Sequence, residues 1–103
     1  MLPFNEWLTI VTYRDFHDVP RLILAADEHV QFWILDSQFD DGADDYSPQY
    51  AVYFAGRELD SAQLAFRRHA GSGAGIRESA ASVSVKEVEF DQTCRRKLLL
   101  RSS

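Results

Sequence analysis

The sequence predicts a mainly β domain, with α+β as the neighbouring class. About five to six antiparallel strands form a small barrel or curved sheet, and one short helix over about 60–70 packs on it. Three observations carry this expectation. Apolar residues make up 46% of the chain and aromatic residues 13%, too much for a disordered polymer. The apolar residues fall in short runs rich in β-branched and aromatic side chains, separated by turn residues. Only one stretch carries helix start and stop signals. The 103 residues suit a single domain over 1–103.

The first strand is Glu6 to Tyr13. Alternation puts Trp7, Thr9, Val11 and Tyr13 on one face and Leu8, Ile10 and Thr12 on the other. Both faces are partly apolar, so this strand is expected to be covered on both sides. A bend follows at Arg14 to Pro20, where proline removes a donor and extends Val19. Arg21–Ala26 and Val30–Leu35 then flank Asp27-Glu28-His29, the pattern of a hairpin. In the second run Phe32 and Ile34 oppose Trp33 and Leu35.

Residues 36–48 read as an acidic loop, with turn signals at Asp41-Gly42 and Ser47-Pro48. Gln49 to Ala55 is another strand, with Tyr50, Val52 and Phe54 on one face. The helix is expected to start at Asp60 as N-cap, with Gln63 completing a capping box and Leu59 stapling onto Leu64. Arg67, Arg68 and His69 suit its C-terminal dipole, and Gly71 is a natural stop. Leu64 and Ala65 are expected to face the sheet. Residues 71–82 are expected to be a flexible loop. Ser82 to Phe90 reads as one strand, with a change of phase between Val85 and Val88 that suggests a bulge. Leu98-Leu99-Leu100 is taken as a last strand, with a short helix as the alternative.

Charge is unevenly placed. Residues 1–60 hold 12 acidic and 3 basic side chains, and residues 61–103 hold 4 and 8. The acidic first half argues against nucleic acid as a partner, because phosphates need cations. It suits a basic protein. One cysteine, Cys94, allows no internal disulfide. The first residues lack the basic and apolar regions of a signal peptide, and no apolar run is long enough to span a bilayer. The expected compartment is the cytoplasm, with no membrane association.

Several constellations could carry chemistry. Asp36, Asp40, Asp41, Asp44 and Asp45 crowd the loop, followed by Tyr46. A calcium loop of the EF-hand type needs glycine at its sixth position and glutamate at its twelfth, and no register supplies both. The same carboxylates can instead face water or a basic partner. Asp15, His17 and Asp18 place an imidazole between carboxylates, as a general base or metal ligand would require. The competing reading is a polar loop that satisfies its own backbone before Pro20. Cys94 lies beside Arg95 and Arg96, yet no positioned base accompanies it. Gly71 to Gly75 follows a helix instead of opening one and lacks a phosphate-loop lysine. The aromatics at residues 32–33 and 46–54 exceed what one core face holds, and those left outside would suit protein contact.

Asp15-Phe16-His17-Asp18-Val19-Pro20-Arg21, together with Phe39-Asp40-Asp41, Asp44-Asp45-Tyr46 and Tyr50-Ala51-Val52-Tyr53, resembles a pattern in short bacterial proteins of unassigned function. The resemblance covers about the first half of the chain, and it implies no activity and no catalytic residues.

The favoured functional expectation is a non-enzymatic interaction module of the inhibitor or immunity type. It would bind a basic protein through Asp36, Asp40, Asp41, Asp44, Asp45 and Tyr46. The alternative is a small enzyme or ligand-binding barrel using Asp15, His17 and Asp18. A homodimer through an exposed strand edge is a third arrangement. No cofactor and no metal are expected.

Overall fold

The computed structural model describes residues 4–16, 18–72 and 81–101. The main sheet contains β1 (Trp7–Phe16), β2 (Pro20–Ala26), β3 (Phe32–Asp36), β6 (Gln49–Gly56), β7 (Ala81–Ser84), β8 (Val88–Phe90) and β9 (Lys97–Leu100). Two short strands, β4 (Phe39–Asp40) and β5 (Asp45–Tyr46), form a separate hairpin, and α1 spans Leu59–Ser72. The main sheet runs β7-β6-β3-β2-β1-β9-β8, with every neighbouring pair antiparallel. No helix among the described residues is long and apolar enough to cross a membrane.

The two edge strands are consecutive in sequence, joined by one 3-10 turn, Val85–Glu87. In a flat sheet the edges would lie about 29 Å apart, at about 4.8 Å per strand spacing. The four Cα steps from Ser84 to Val88 reach at most about 14 Å. The sheet therefore curls into a half-barrel. Its concave face holds Leu8, Ile23, Trp33, Tyr50, Val83, Val88 and Leu98 in one apolar cluster, with a member from each of the seven strands. Tyr50 is fully buried there, and its hydroxyl donates to the Pro20 carbonyl at 2.6 Å. Burial pushes its phenol well above the ordinary range. The turn replaces the single strand expected over Ser82–Phe90. The change of phase at Val85–Val88 is thus a crossing between edges and not a bulge.

The convex face carries α1. Leu22, Leu24, Phe32, Ile34 and Ala55 of the sheet pack against Ala62 and Phe66 of the helix. Ala62, Ala65, Phe66 and His69 occupy i, i+3, i+4 and i+7 and so share one face. Leu64 falls outside that stripe and is 42% exposed, which corrects the expected docking face. Leu59 is exposed as well, so no hydrophobic staple forms. The amide of Ala62 donates to the Glu58 carbonyl. That starts the helix two residues earlier than an Asp60 cap would. Gly71 lies within α1 rather than ending it, and β7 begins at Ala81. The remainder of the expected 71–82 loop, residues 73–80, lies outside the described residues.

Phe32 and Ile34 lie on the convex face, and Trp33 and Leu35 on the concave one, as alternation requires. In β1 the register against β2 slips between Ile10 and Thr12. Val11 keeps the face opposite Leu8 and Ile10, in the convex cluster, but the bulge turns Tyr13 to the concave one. The expected alternation therefore holds to Val11 and fails at Tyr13. Phe54 keeps the face of Tyr50 and Val52 but lies where the sheet opens. It is half exposed, edge-on to Trp33 at 5.2 Å.

Two turns are organised by single aspartates. At the β2–β3 tip, Asp27 accepts from the amides of His29 and Gln31 and from the Trp33 indole, each at 2.9–3.0 Å. The same turn holds Val30 at φ +58°, with 61% of it exposed. A β-branched residue is strained there. Replacing Val30 by Gly relieves that strain, and we expect a gain of about 0.5–1 kcal/mol in urea unfolding.

Between β8 and β9, Asp91 accepts from the Thr93 hydroxyl at 2.6 Å and from the amides of Thr93, Arg96 and Lys97. The Thr93 hydroxyl, then the backbone amides, hold its carboxyl far below the ordinary carboxylate range. A depressed folded-state value stabilises the fold above the unfolded-state value, and this contribution disappears as pH falls through the folded one. Asp91→Asn is therefore expected to lower the urea midpoint at neutral pH. The gap from wild type should close in acid, below the usual carboxylate range.

Candidate functional site

The β3–β6 connection and the end of β2 converge at one end of the sheet. Asp36 closes β3 on its convex face, in line with Phe32 and Ile34. His69 stands on the sheet-facing stripe of α1, in its last turn. The two meet: His69 Nε2 lies 2.7 Å from Asp36 Oδ2, with each side chain about nine-tenths buried. Gln38 Nε2 donates to the same oxygen at 3.3 Å. The Tyr53 ring packs on the imidazole at 4.9 Å. Burial, and then the Asp36 charge, push the Tyr53 phenol up.

Arg21 forms the second half of the junction. Its Nη2 donates to Asp18 Oδ1 at 2.6 Å and its Nη1 to Ser37 Oγ at 3.3 Å, while its guanidinium lies 4.9 Å over the Tyr46 ring. Arg21 Nε is buried with no hydrogen-bond partner among the described residues. Burial opposes ionisation of Asp18, but the hydrogen bond and charge of Arg21 prevail and hold its carboxyl down. Ser37 is 2% exposed and donates to the Ser47 carbonyl at 2.7 Å. The Ser47 amide in turn donates to the Gln38 carbonyl. These bonds clamp the base of the β4–β5 hairpin to the sheet. The hairpin replaces the irregular loop expected at 36–48. Its rings Phe39 and Tyr46 meet edge-on at 5.2 Å, and Asp44 takes φ +53° in the turn.

Beneath the hairpin opens a cleft of about 320 Å³. Asp15, Arg21, Asp36 and His69 supply its ionisable groups, and Leu22, Phe39 and Tyr46 its apolar wall. Asp15, at φ +56° near the end of β1, is exposed at the rim. Its carboxylate makes no hydrogen bond or ion pair with another described residue.

The structure sorts the residues singled out from sequence. Asp41, Asp44 and Asp45 are exposed together on the hairpin. Asp36 is not part of that surface, because it turns inward to His69. Tyr46 is half buried beneath Arg21. Asp15 and Asp18 approach the same junction, so the two candidate groups meet around Arg21. His17 and the side chain of Asp40 lie outside the described residues. Sequence reading missed Arg21, Ser37 and Gln38, and did not pair His69 with Asp36. His69's position seven residues after Ala62, on the apolar stripe, was the available signal.

A second acidic corner occupies the opposite end of β2. Burial, and then repulsion from Glu28 and Asp27, raise the Glu6 carboxyl there. Among the described residues, no group of three His, Cys, Asp or Glu side chains is placed to share a metal ion. The chain matches no protein-family model, no curated protein and no solved structure.

The Asp36–His69 contact predicts strong coupling. His69→Ala leaves a buried carboxylate without its main partner and is expected to cost about 2–4 kcal/mol in urea unfolding. The pair Asp36→Leu with His69→Leu should cost about 1–3 kcal/mol less than the two single changes added together.

Proposed function

We propose that this protein is a non-enzymatic interaction module that binds a basic protein partner through the β4–β5 hairpin. One observation carries the reading. Phe39 is a large ring left 49% exposed, on the same hairpin as the exposed carboxylates Asp41, Asp44 and Asp45. An accessible aromatic ringed by charges is the usual make-up of a binding hot spot, the ring giving affinity and the charges steering. The hairpin is also held in shape by Ser37, Ser47 and the Arg21–Tyr46 stack, which lowers the ordering cost of binding.

The second reading is a small enzyme or ligand-binding fold. It is favoured by Asp15, Asp36 and His69 lining one cleft. Against it, the Ser37 hydroxyl at that cleft is buried and already donates to Ser47, so it is not an available nucleophile. The interaction module asks less of this geometry.

Calorimetric titration of the protein with a soluble cationic peptide of mixed lysine and arginine tests the proposal. The expected affinity falls steeply from about 0.05 to about 0.5 M salt. It should fall about tenfold or more in the triple variant Asp41→Asn/Asp44→Asn/Asp45→Asn. Binding indifferent to salt and to the triple variant would overturn the reading.

A further inference from the structure

The geometry points to a specific occupant for the cleft: we propose that it holds one arginine side chain of the partner. This rests on the reading above, in which the hairpin binds a basic protein, and it names the group that the partner inserts. Around the cleft and hairpin, the carboxylates Asp15, Asp18, Asp36, Asp41, Asp44 and Asp45 outnumber the basic side chains Arg21 and His69. A cation is thus the favoured ligand. The charge of Arg21 is already matched by Asp18 at 2.6 Å.

Two acceptors remain for an incoming fork of donors. Asp15 is unpaired among the described residues. The bonds to Asp36 from His69 and Gln38 both fall on Oδ2, which leaves Oδ1 unused among the described residues. The half-exposed Phe39 ring forms the wall on which a planar cation can stack. The same packing already occurs twice in this molecule, with Arg21 over Tyr46 at 4.9 Å and Arg95 over Phe16 at 4.1 Å. A guanidinium satisfies both requirements, since it is flat enough to stack and carries several donors in fixed directions. A lysine ammonium is a strongly hydrated point charge and would give up more water for fewer bonds. The volume of about 320 Å³ accommodates one such side chain but not a folded segment.

The test compares two peptides of equal length and charge, one with arginine as its only cation and one with lysine, titrated calorimetrically into the full chain. The arginine peptide is expected to bind about tenfold tighter. Asp15→Asn and Phe39→Ala should each weaken the arginine peptide more than the lysine peptide and so remove most of that preference. Both variants should fold, because asparagine tolerates φ +56° and Phe39 is half exposed; thermal melts check this. Equal affinities for the two peptides, or a preference that survives both substitutions, would overturn the cleft assignment. If binding remained salt-dependent in that case, the hairpin reading would stand alone. If neither peptide bound, the hairpin reading would fail first and the arginine site with it.

Discussion

A seven-stranded sheet whose two edges are joined by one three-residue turn has to curl, and the rest of the molecule follows from that constraint. The concave side becomes a closed space that only apolar side chains can fill at interior density. Each of the seven strands contributes to it. The convex side of the central strands is covered by α1 through Ala62 and Phe66. β2 and β3 are thereby buried on both faces, and their middles cannot present polar chemistry. Polar and charged groups are displaced to the strand ends, where Pro20–Arg21 and Asp36–Ser37 lie side by side. The β3–β6 connection leaves the sheet from this point, so its hairpin is carried by strands buried on both faces.

The junction at that end is polar because its elements arrive with unmet hydrogen-bonding needs. Asp36 terminates a buried strand and needs donors, which His69 and Gln38 supply. Arg21 is nearly nine-tenths buried and needs acceptors, which Asp18 and Ser37 supply. Buried ion pairs contribute less to stability than their short distances suggest, because desolvation offsets the attraction. Their effect here is positional: α1 is aligned over β3, and the hairpin is fixed over the cleft. The exposed carboxylates of the hairpin have no such structural duty. Among the described residues Asp45 bonds only the adjacent Tyr46 amide, and Asp41 and Asp44 are exposed.

Much of this architecture was legible in the sequence. The β2–β3 hairpin and the alternation of Phe32 and Ile34 against Trp33 and Leu35 follow from period-two patterning. The short helix was also evident, and at Leu98–Leu100 a strand was favoured over a short helix, as found. The errors share a physical origin in contacts distant along the chain. Leu64 was expected to dock with Ala65, but the helix is oriented by Phe66 and by His69 reaching Asp36. The bulge in β1 reflects pairing with β2, which no local pattern around Val11 encodes. The acidic segment 36–48 looked irregular because aspartates and glycine favour turns. Its hairpin depends on Ser37–Ser47 bonds and on Phe39 meeting Tyr46 across the turn. The half of the site made by Arg21 and His69 was hidden for the same reason, since these residues lie far apart in sequence.

The functional account places recognition at one of two acidic corners of the molecule: the hairpin and cleft, and not the opposite end where Glu6, Asp27 and Glu28 cluster. The hairpin corner combines charge with an accessible ring and a cavity, whereas the other uses Asp27 to brace its own turn. Amide chemical-shift mapping of the isotope-labelled chain, titrated with a cationic peptide, separates the two directly. The account predicts perturbations concentrated at residues 15–21 and 36–47, with the β2–β3 tip and the β8–β9 turn unmoved. Shifts centred on Glu6 and residues 27–31, with the hairpin silent, would contradict it.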